Sequence, residues 1–243
     1  MSFLKRLKAS RLRAACKAKL ANGDPITYRG LTVPVSADHM PLSVLIQIAQ
    51  NNYEAPEIQA IEKLVREGDR VLEMGTGLGI VSGLTSRMAP NIEIRSFEAN
   101  SGLHPHIRKL HELNDSRSVH VENAMLEPAP DNPTRPFHLH THFPEGSVVR
   151  TVLSTETVDI PVQDLNHVIA DFRPTMMVCD IEGAEEFIFP SAELGTLRAL
   201  VLEMHPKVLS REGVKGIFDA CARHGLYPRI EYSSEQVVAF ERV

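Results

Sequence analysis

The feature that most constrains this chain is an apolar run, residues 71–74, that carries an acid and then breaks into alternating glycines. The acid is Glu73, and the glycines are Gly75, Gly77 and Gly79. Glycine tolerates positive φ and lets a ligand approach the backbone, which bulkier residues resist. Helix-like sequence resumes after the glycines. The pattern therefore predicts the first strand–turn–helix unit of an α/β sheet that binds a nucleotide-containing cofactor.

The spacing of the glycines separates two classes of cofactor. A dinucleotide turn has the spacing G-x-G-x-x-G, but Ile80 takes the place of the third glycine here. Glu73 would also repel a pyrophosphate at short range. S-adenosylmethionine has no phosphate and carries a cationic sulfonium, so an acid beside the turn suits it, and Glu98 ends the next apolar run where ribose hydroxyls are held. We therefore expect S-adenosylmethionine, with an NAD(P)-dependent oxidoreductase as the alternative.

Size, composition and charge bound the class of protein. With 243 residues, 43% of them hydrophobic and 23% charged, the chain can form one large soluble domain with an appendage. Its net charge of -5 argues against general nucleic-acid binding, which needs a basic surface. The three cysteines form no C-x-x-C pair, and neither a secretory signal nor an apolar run of about 20 residues is visible. We expect a cytoplasmic protein with reduced thiols and no transmembrane segment.

Residues 1–21 are the basic part of the chain, with seven Lys or Arg residues and no acid. Phe3, Leu4, Leu7 and the alanines could line one face of a helix. Such a helix could pack on its own domain or on the second subunit of a homodimer. Weak contact with a membrane surface is the other interpretation.

Downstream of a small hairpin at residues 26–35, short apolar runs alternate with helical segments. Candidate strands are 70–74, 92–98, 119–123, 176–180 and 199–203, and candidate helices are 80–88, 103–114, 162–170 and 214–224. This alternation predicts a parallel sheet with helices on both faces. Runs 227–232 and 237–241 are too close for a helical crossover and predict an antiparallel hairpin.

The predicted architecture is α/β: a Rossmann-like doubly wound sheet of the class I methyltransferase type, mostly parallel with a C-terminal antiparallel hairpin. We expect it in a domain of residues 53–243. Residues 1–52 would form an N-terminal extension of a basic helix, a small hairpin and a second helix.

An insertion at about residues 125–160 interrupts the alternation with a proline-rich loop and strand-like pieces. Insertions of this kind lie above the carboxyl ends of strands, so we expect it to face the acceptor substrate. His138, His140 and His142 would share one strand face, which resembles a zinc site. No acid or cysteine lies at a recognised ligand spacing. We therefore expect no metal, and we assign His140 and His142 to acceptor contacts.

Acids and a histidine follow two later strands. Asp180 and Glu182 come after an apolar run without alternation, which is typical of a strand buried on both faces. Glu203 and His205 follow the next run, and alternation directs both to one face. Charges at such an edge indicate function, because burying an unpaired charge is costly. His205 could act as a general base, since its ordinary pKa is near ~6.5, or be a hydrogen-bonded core histidine.

Taken together, these motifs resemble the FkbM family of S-adenosylmethionine-dependent methyltransferases over about residues 53–205. The resemblance is carried by Tyr53-Glu54, the Glu73–Gly79 turn, Glu98, Asn123-Ala124, the Asp180–Glu185 string and Glu203-Met204-His205. The Asp180–Glu185 string is the most specific of these. Two positions depart from the family: its first turn often reads Asp-x-Gly-Ala-Asn, and Val178 stands where it usually has Lys.

The resemblance implies O-methylation of a hydroxyl on a sugar, glycolipid or natural-product acceptor. It implies that the cofactor is contacted by the first turn, the ribose-binding acid and the adenine-binding pair: Glu73, Gly75, Thr76, Gly77, Gly79, Glu98, Ala99, Asn123 and Ala124. Asp180 would lie near the transferred methyl, and Asp180, Glu182 and His205 are the catalytic candidates. Tyr53, Glu54 and Glu203 would contact the acceptor. A catalytically idle protein of the same fold is a second alternative.

Overall fold

The centre of the molecule is a seven-stranded sheet, in a computed structural model that describes residues 3–140, 146–147, 154–234 and 236–243. In chain order the strands are β1 Ile26–Tyr28, β2 Leu31–Val33, β3 Arg70–Met74, β4 Glu93–Phe97, β5 Val119–Glu122, β6 Met125–Glu127, β7 Thr134–His140, β8 Gly146–Ser147, β9 Ser154–Asp164, β10 Met176–Cys179, β11 Ala199–Glu203, β12 Leu226–Pro228 and β13 Val237–Arg242. The α-helices are α1 Phe3–Asn22, α2 Leu42–Ala49, α3 Ala55–Leu64, α4 Ile80–Thr85, α5 His104–Leu113, α6 Leu165–Phe172, α7 Glu185–Ile188 and α8 Arg211–Arg223.

The strand order of the main sheet is β12-β13-β11-β10-β3-β4-β5. Strand β13 runs antiparallel to both neighbours, and the other described pairings in this sheet are parallel. The chain builds outward from β3 to β5 and then returns to β10 on the other side of β3. The direction of winding therefore reverses between β3 and β10, where open α/β sheets bind their ligands. This order confirms the predicted class I methyltransferase sheet and its antiparallel C-terminal hairpin, although the first hairpin strand ends at Pro228 and residues Ile230–Tyr232, predicted as strand, form a 3-10 turn.

Strand β10 explains why the middle of the sheet forms. All of its residues, Met176–Cys179, are buried. Alternate side chains enter two separate hydrophobic clusters: Val178 packs in one with Val71, and Met177 in the other with Leu72. Each fully buried side chain of this size contributes about 1.5–3 kcal/mol. An apolar run without polar alternation therefore specifies a strand that lies between two helical layers.

The N-terminal extension packs on the first of these clusters. The Tyr28 hydroxyl, fully buried in β1, donates to the backbone carbonyl of Tyr53 at 2.5 Å. On α5, the Asn114 side chain pairs with both backbone groups of Thr32: its Nδ2 donates to the carbonyl at 2.9 Å and its Oδ1 accepts from the N–H at 2.8 Å. The helix α1 is mostly exposed. The extension and the main domain therefore share one core.

The insertion forms a second sheet of strand order β6-β9-β7-β8. Strands β7 and β9 pair antiparallel, and β6 lies parallel to β9. Of the predicted histidine series, His138 and His140 lie in β7, whereas His142 lies outside the described residues. The Nδ1 atom of His138 is 2.8 Å from the Thr157 hydroxyl of β9.

The helix predicted at residues 162–170 begins later than its sequence suggested. Residues 162–164 still belong to β9, and α6 starts at Leu165. The Asp164 carboxylate accepts from the backbone N–H of Asn166 at 2.9 Å and of His167 at 3.4 Å. A side-chain acceptor at this position satisfies donors that the first turn leaves free, so the helix begins after Asp164.

The cysteines are free and buried, as expected of reduced thiols. Burial raises the pKa of Cys16 and of Cys179, and it raises the pKa of Cys221 to about 12. Within the described part of the chain, no helix has the length and apolar content that crossing a bilayer requires.

Candidate functional site

A cavity of about 660 Å³ opens at the carboxyl edge of the main sheet, beside the switch point. Its floor comes from the ends of β3, β4 and β10, and its walls come from the insertion and from α2. This volume falls within the range of about 300–1,000 Å³ that small-molecule sites occupy. The cavity therefore lies where the sequence predicts a cofactor, and it has room for a small ligand.

The turn after β3 approaches β10 so closely that only glycine fits at its start. Gly75 has φ +89°, and a Cβ atom there would lie 1.8 Å from the backbone oxygen of Asp180. The Asp180 N–H donates to the carbonyl of Met74 at 2.9 Å, while the N–H of Gly75 donates to the carbonyl of Phe97 at 2.9 Å. The turn is thus pinned to the neighbouring strand on each side.

Glu98 is fixed at the end of β4 by backbone donors from two loops. Its Oε2 accepts from the N–H of Gly77 at 2.8 Å, and its Oε1 accepts from the N–H of Asn100 at 2.7 Å. Burial raises the pKa of Glu98 to about 7, although these N–H groups oppose the shift. The Asn123 amide donates to the carbonyls of Glu98 and Ala99 at 2.8 and 2.9 Å. The carboxylate therefore has one position relative to the glycine turn.

The residues predicted to contact the cofactor fall into two layers. Those that line the cavity are Gly75, Gly77, Glu98, Ala99, Ala124 and Asp180; Glu73, Thr76, Gly79 and Asn123 are not among its lining residues. The buried Glu73 carboxylate accepts from the Ser96 hydroxyl, which lies 2.5 Å from the Thr76 hydroxyl. Burial raises the pKa of Glu73 to about 7, and the hydrogen bond from Ser96 opposes this. The predicted residues that do not line the cavity therefore support those that do.

His205 lies among three carboxylates at the ends of β10 and β11. Its Nδ1 is 2.9 Å from Oε1 of Glu185, and its Nε2 is 3.5 Å from Oδ1 of Asp180 and 3.3 Å from Oε2 of Glu182. Burial alone lowers the pKa of His205, but the hydrogen bond to Glu185 and the surrounding negative charges outweigh it and raise the pKa to about 9. Asp180 and Glu182 line the cavity, whereas His205 stands behind them.

More acids collect on this side of the cavity than basic groups balance. Burial, and then the charges of Glu203 and Glu182, raise the pKa of Glu54 to about 7, and the same causes raise the pKa of Asp180 well above its ordinary value. Among the described lining residues, the basic side chain is Arg135, whose guanidinium is already paired with two acids, Glu127 and Asp131. The negative charge near β10 is therefore largely uncompensated.

The residues predicted to contact the acceptor are brought together only in part. Tyr53 and Glu54 line the cavity, and burial raises the pKa of the Tyr53 hydroxyl well above its ordinary value. Glu203 is not a lining residue. Burial raises the pKa of Glu203, and the charge of His205 opposes this shift. His140 is placed only as a residue of β7.

Several residues that line the cavity were not predicted from the sequence. They are Ser43, Val44 and Gln47 of α2, Arg135, Pro136 and Phe137 of β7, and Phe187 and Ile188 of α7. None of these residues belongs to a motif. The insertion was expected above this sheet edge as a whole, but no local pattern reveals which of its side chains line the cavity, or that α2 packs there. The buried Glu57 near Asp180 was missed for the same reason.

Comparisons with known proteins yield similar solved structures only. No family model matches the chain, and no curated protein matches it. It is similar to a precorrin-6y C5,15-methyltransferase from Geobacter metallireducens, at 13% identity over 79% of this chain and 89% of that one, with a TM-score of 0.45. A TehB-like SAM-dependent methyltransferase from Corynebacterium glutamicum is 12% identical over 81% and 92%, with a TM-score of 0.46. Fibrillarin from Aeropyrum pernix, with S-adenosylmethionine bound, is 10% identical over 76% and 73%, with a TM-score of 0.39.

Proposed function

We propose that this chain is an S-adenosylmethionine-dependent methyltransferase of the FkbM type that methylates a hydroxyl on a sugar, glycolipid or natural-product acceptor. One observation carries the proposal: a bare glycine turn, a fixed acid and a strand-end acid surround one cavity at the switch point. These are Gly75–Gly77, Glu98 and Asp180. The bound cofactor would supply an electrophilic methyl group on its sulfonium.

The lining residues fit S-adenosylmethionine in shape and in charge. Each oxygen of Glu98 accepts one backbone N–H, which leaves lone pairs for two ribose hydroxyls. Ala99 and Ala124 offer small apolar surfaces to an adenine ring. The glycine turn lets the methionine portion lie against backbone. The uncompensated acids toward β10 favour a ligand that carries positive charge.

Asp180 is the side chain we expect to touch the acceptor hydroxyl, because it lines the cavity beside the glycine turn. His205 stands behind Asp180 and Glu182 and contacts them through Nε2. We therefore assign His205 a positioning role rather than direct contact with the acceptor. Most of the rate enhancement would come from holding the hydroxyl in line with the methyl group and the leaving sulfur.

The acceptor end of the cavity combines apolar and polar surface. Phe137, Ile181 and Phe187 supply the apolar part, and Glu54 and Glu182 supply the acids. A hydroxylated small molecule or glycan with an apolar portion matches this mixture. We propose an acceptor of this kind, since the acids of the lining repel phosphates and its basic side chain among the described residues, Arg135, is paired with Glu127 and Asp131.

Calorimetric titration of the full chain with S-adenosylmethionine, and separately with NAD, tests the cofactor. We expect saturable binding of the first and none of the second. Glu62→Ala should bind S-adenosylmethionine as the wild type does, since this half-exposed acid pairs with Arg29 away from the cavity. Binding of NAD in place of S-adenosylmethionine would show that the chain is an oxidoreductase.

Turnover of Asp180→Asn and of His205→Ala tests the assigned roles, with S-adenosylhomocysteine affinity measured in parallel. We expect Asp180→Asn to lower kcat by roughly 10²-fold or more while the affinity is kept. A positioning role predicts a smaller loss for His205→Ala. Unchanged turnover in both variants, with intact cofactor binding, would refute the roles. An idle binding protein would bind S-adenosylhomocysteine and turn over no acceptor.

A further inference from the structure

Three side chains at the ends of β10 and β11 place ligand atoms around a common point. These atoms are Oδ1 of Asp180, Oε2 of Glu182 and Nε2 of His205, and all lie within 4.8 Å of one another. The imidazole nitrogen is 3.5 Å from the first oxygen and 3.3 Å from the second. A metal ion with bonds of about 2.0–2.3 Å holds adjacent ligands roughly 3 Å apart, so a small inward movement would close the set on one ion.

The far side of the imidazole is already arranged as it is behind metal-binding histidines. His205 Nδ1 lies 2.9 Å from Oε1 of Glu185, a carboxylate that is fully buried. The N–H of Gly183 donates to the same oxygen at 3.2 Å. Once a metal ion displaces the Nε2 proton, an imidazole that donates through Nδ1 has its Nε2 lone pair toward Asp180 and Glu182. Glu185 therefore orients His205 for coordination.

An independent observation is that buried carboxylate oxygens nearby accept no hydrogen bond. Oδ1 of Asp180 is buried and makes no hydrogen bond in the described structure. Oε2 of Glu185 is likewise buried without a hydrogen bond, and the neighbouring Glu57 is 3% exposed. The charges that act on Glu57 come from other acids, with Asp180 first and Glu54 next. Acids outnumber the single histidine here, and such an excess of buried acids is neutralised by protons or by a bound cation.

We propose that Asp180, Glu182 and His205 bind a divalent first-row metal ion, of which Mn²⁺ is the best match. Two carboxylates with one imidazole suit Mn²⁺, because hard oxygen ligands favour it and it also accepts a nitrogen ligand. With three protein ligands, the ion keeps open positions on the cavity side. The role of the ion rests on the proposed function, since the ion would bind acceptor oxygens next to the methyl donor. This site is separate from the histidine series, and from the sequence we expected no metal at either place.

The test is a titration of the metal-depleted full chain with Mn²⁺. The electron paramagnetic resonance signal of the free ion is measured at each addition. We expect one Mn²⁺ per chain, and an enhanced water-proton relaxation rate that reports open positions. Glu182→Gln changes a partly exposed ligand, so folding should be kept, and it should weaken Mn²⁺ binding at least about tenfold. Glu185→Gln should weaken it by a similar factor through the orientation of His205.

Asp219→Asn is the matched control, because this exposed acid pairs with Lys215 on α8. It should bind Mn²⁺ as the wild type does. The proposal is overturned if Mn²⁺ stays free in the wild type, or if Glu182→Gln binds it equally well. S-adenosylhomocysteine is titrated separately with a chelator present: binding there without any Mn²⁺ site would overturn the metal site alone. A metal site without S-adenosylhomocysteine binding would overturn the proposed function alone.

Discussion

Two groups of acids lie on either side of the turn at Gly75, and they differ in what surrounds them. The cradle acids, on the β3–β4 side, are Glu73 and Glu98. The clustered acids, on the β10–β11 side, are Glu54, Glu57, Asp180, Glu182 and Glu203. Each cradle acid accepts a hydrogen bond from a hydroxyl or a backbone N–H. The clustered acids mainly face one another and His205.

The comparison teaches that the same side-chain type serves two purposes at one sheet edge. A buried carboxylate with donors on it has a fixed position and stabilises the loops that supply them. A buried carboxylate beside other carboxylates destabilises the fold until a proton or a cation arrives. Removing a cradle acid should therefore lower the free energy of unfolding, because its donors lose their acceptor. Neutralising a clustered acid should raise the free energy of unfolding. The predictions below run from the largest expected effect to the smallest.

Gly75→Ala should have the largest effect, because Gly75 lies where the two groups meet. Its new Cβ would overlap the Asp180 carbonyl oxygen and would require an alanine at φ +89°. We expect a loss of about 3–5 kcal/mol in the free energy of unfolding, measured by urea denaturation. Gly195→Ala is the control, since a Cβ there meets nothing within 4 Å. Equal stability of the two variants would mean that β3 and β10 are not so closely joined.

Glu98→Ala tests the cradle. It leaves the N–H groups of Gly77 and Asn100 without their acceptor, which should cost about 2 kcal/mol of stability. Loss of the ribose contacts should weaken S-adenosylmethionine binding by about 10- to 100-fold, measured by calorimetry. Glu62→Ala should change neither quantity by much. If Glu98→Ala melts and binds as the wild type does, the carboxylate has no such role.

Glu57→Gln tests the clustered acids and should act in the opposite direction. Burial, followed by the charge of Asp180, raises the pKa of Glu57 in the folded protein above the unfolded value of 4.5. The wild type therefore loses stability as pH rises above about 4.5, because Glu57 ionises less readily in the folded protein than in the unfolded chain. The glutamine variant has no such group and does not lose this part of the free energy of unfolding. We expect a gain of about 1 kcal/mol at pH 8 and a smaller gain at pH 5, where the unfolded carboxyl is still partly protonated.

Thermal melts with a chelator present measure this difference at both pH values. Glu62→Gln should show the same difference from the wild type at pH 5 and at pH 8, because that acid lies at the surface. A Glu57→Gln variant that is less stable than the wild type at pH 8 would mean that the carboxylate has a favourable partner. The two groups of acids would then not differ as described.

Asn123→Ala should have the smallest effect. It removes two hydrogen bonds to the carbonyls of Glu98 and Ala99 but leaves the donors to the Glu98 carboxylate in place. We expect S-adenosylmethionine binding to weaken by about threefold, which corresponds to somewhat less than 1 kcal/mol. Asn132→Ala, at an exposed residue bonded to its neighbour Asp131, should bind as the wild type does. A loss as large as that of Glu98→Ala would make Asn123 a direct ligand contact.

Most of the fold follows from local pattern. Strands β3 and β11 have the predicted bounds, 70–74 and 199–203, because short, mainly apolar runs between turn residues mark buried strands. The late start of α6 was missed because residues 162–164 suit a strand as well as a helix. Asp164 was the available signal, since a helix-capping acid marks the start of the following helix.

Less of the site could be predicted, for a physical reason. Gly75, Glu98 and Asp180 stand at strand ends, and parallel strands bring their ends to one edge. Gln47 of α2 and Phe137 of β7 reach the cavity only through the packing of distant segments. Glu57 reads as an acid in the first turn of a helix, where exposure is the ordinary outcome. Burial of that residue depends on tertiary structure.

The buried thiols make the chain selective in its chemistry. Only a thiolate reacts readily, and Cys16, Cys179 and Cys221 all have a raised pKa and little access to reagents. A new cysteine on the surface would therefore be the reactive one, without prior removal of the native thiols. Phe187 suits this use, because it is 67% exposed and lines the cavity. A fluorophore attached there would report ligand entry as a change in emission from a single labelled position.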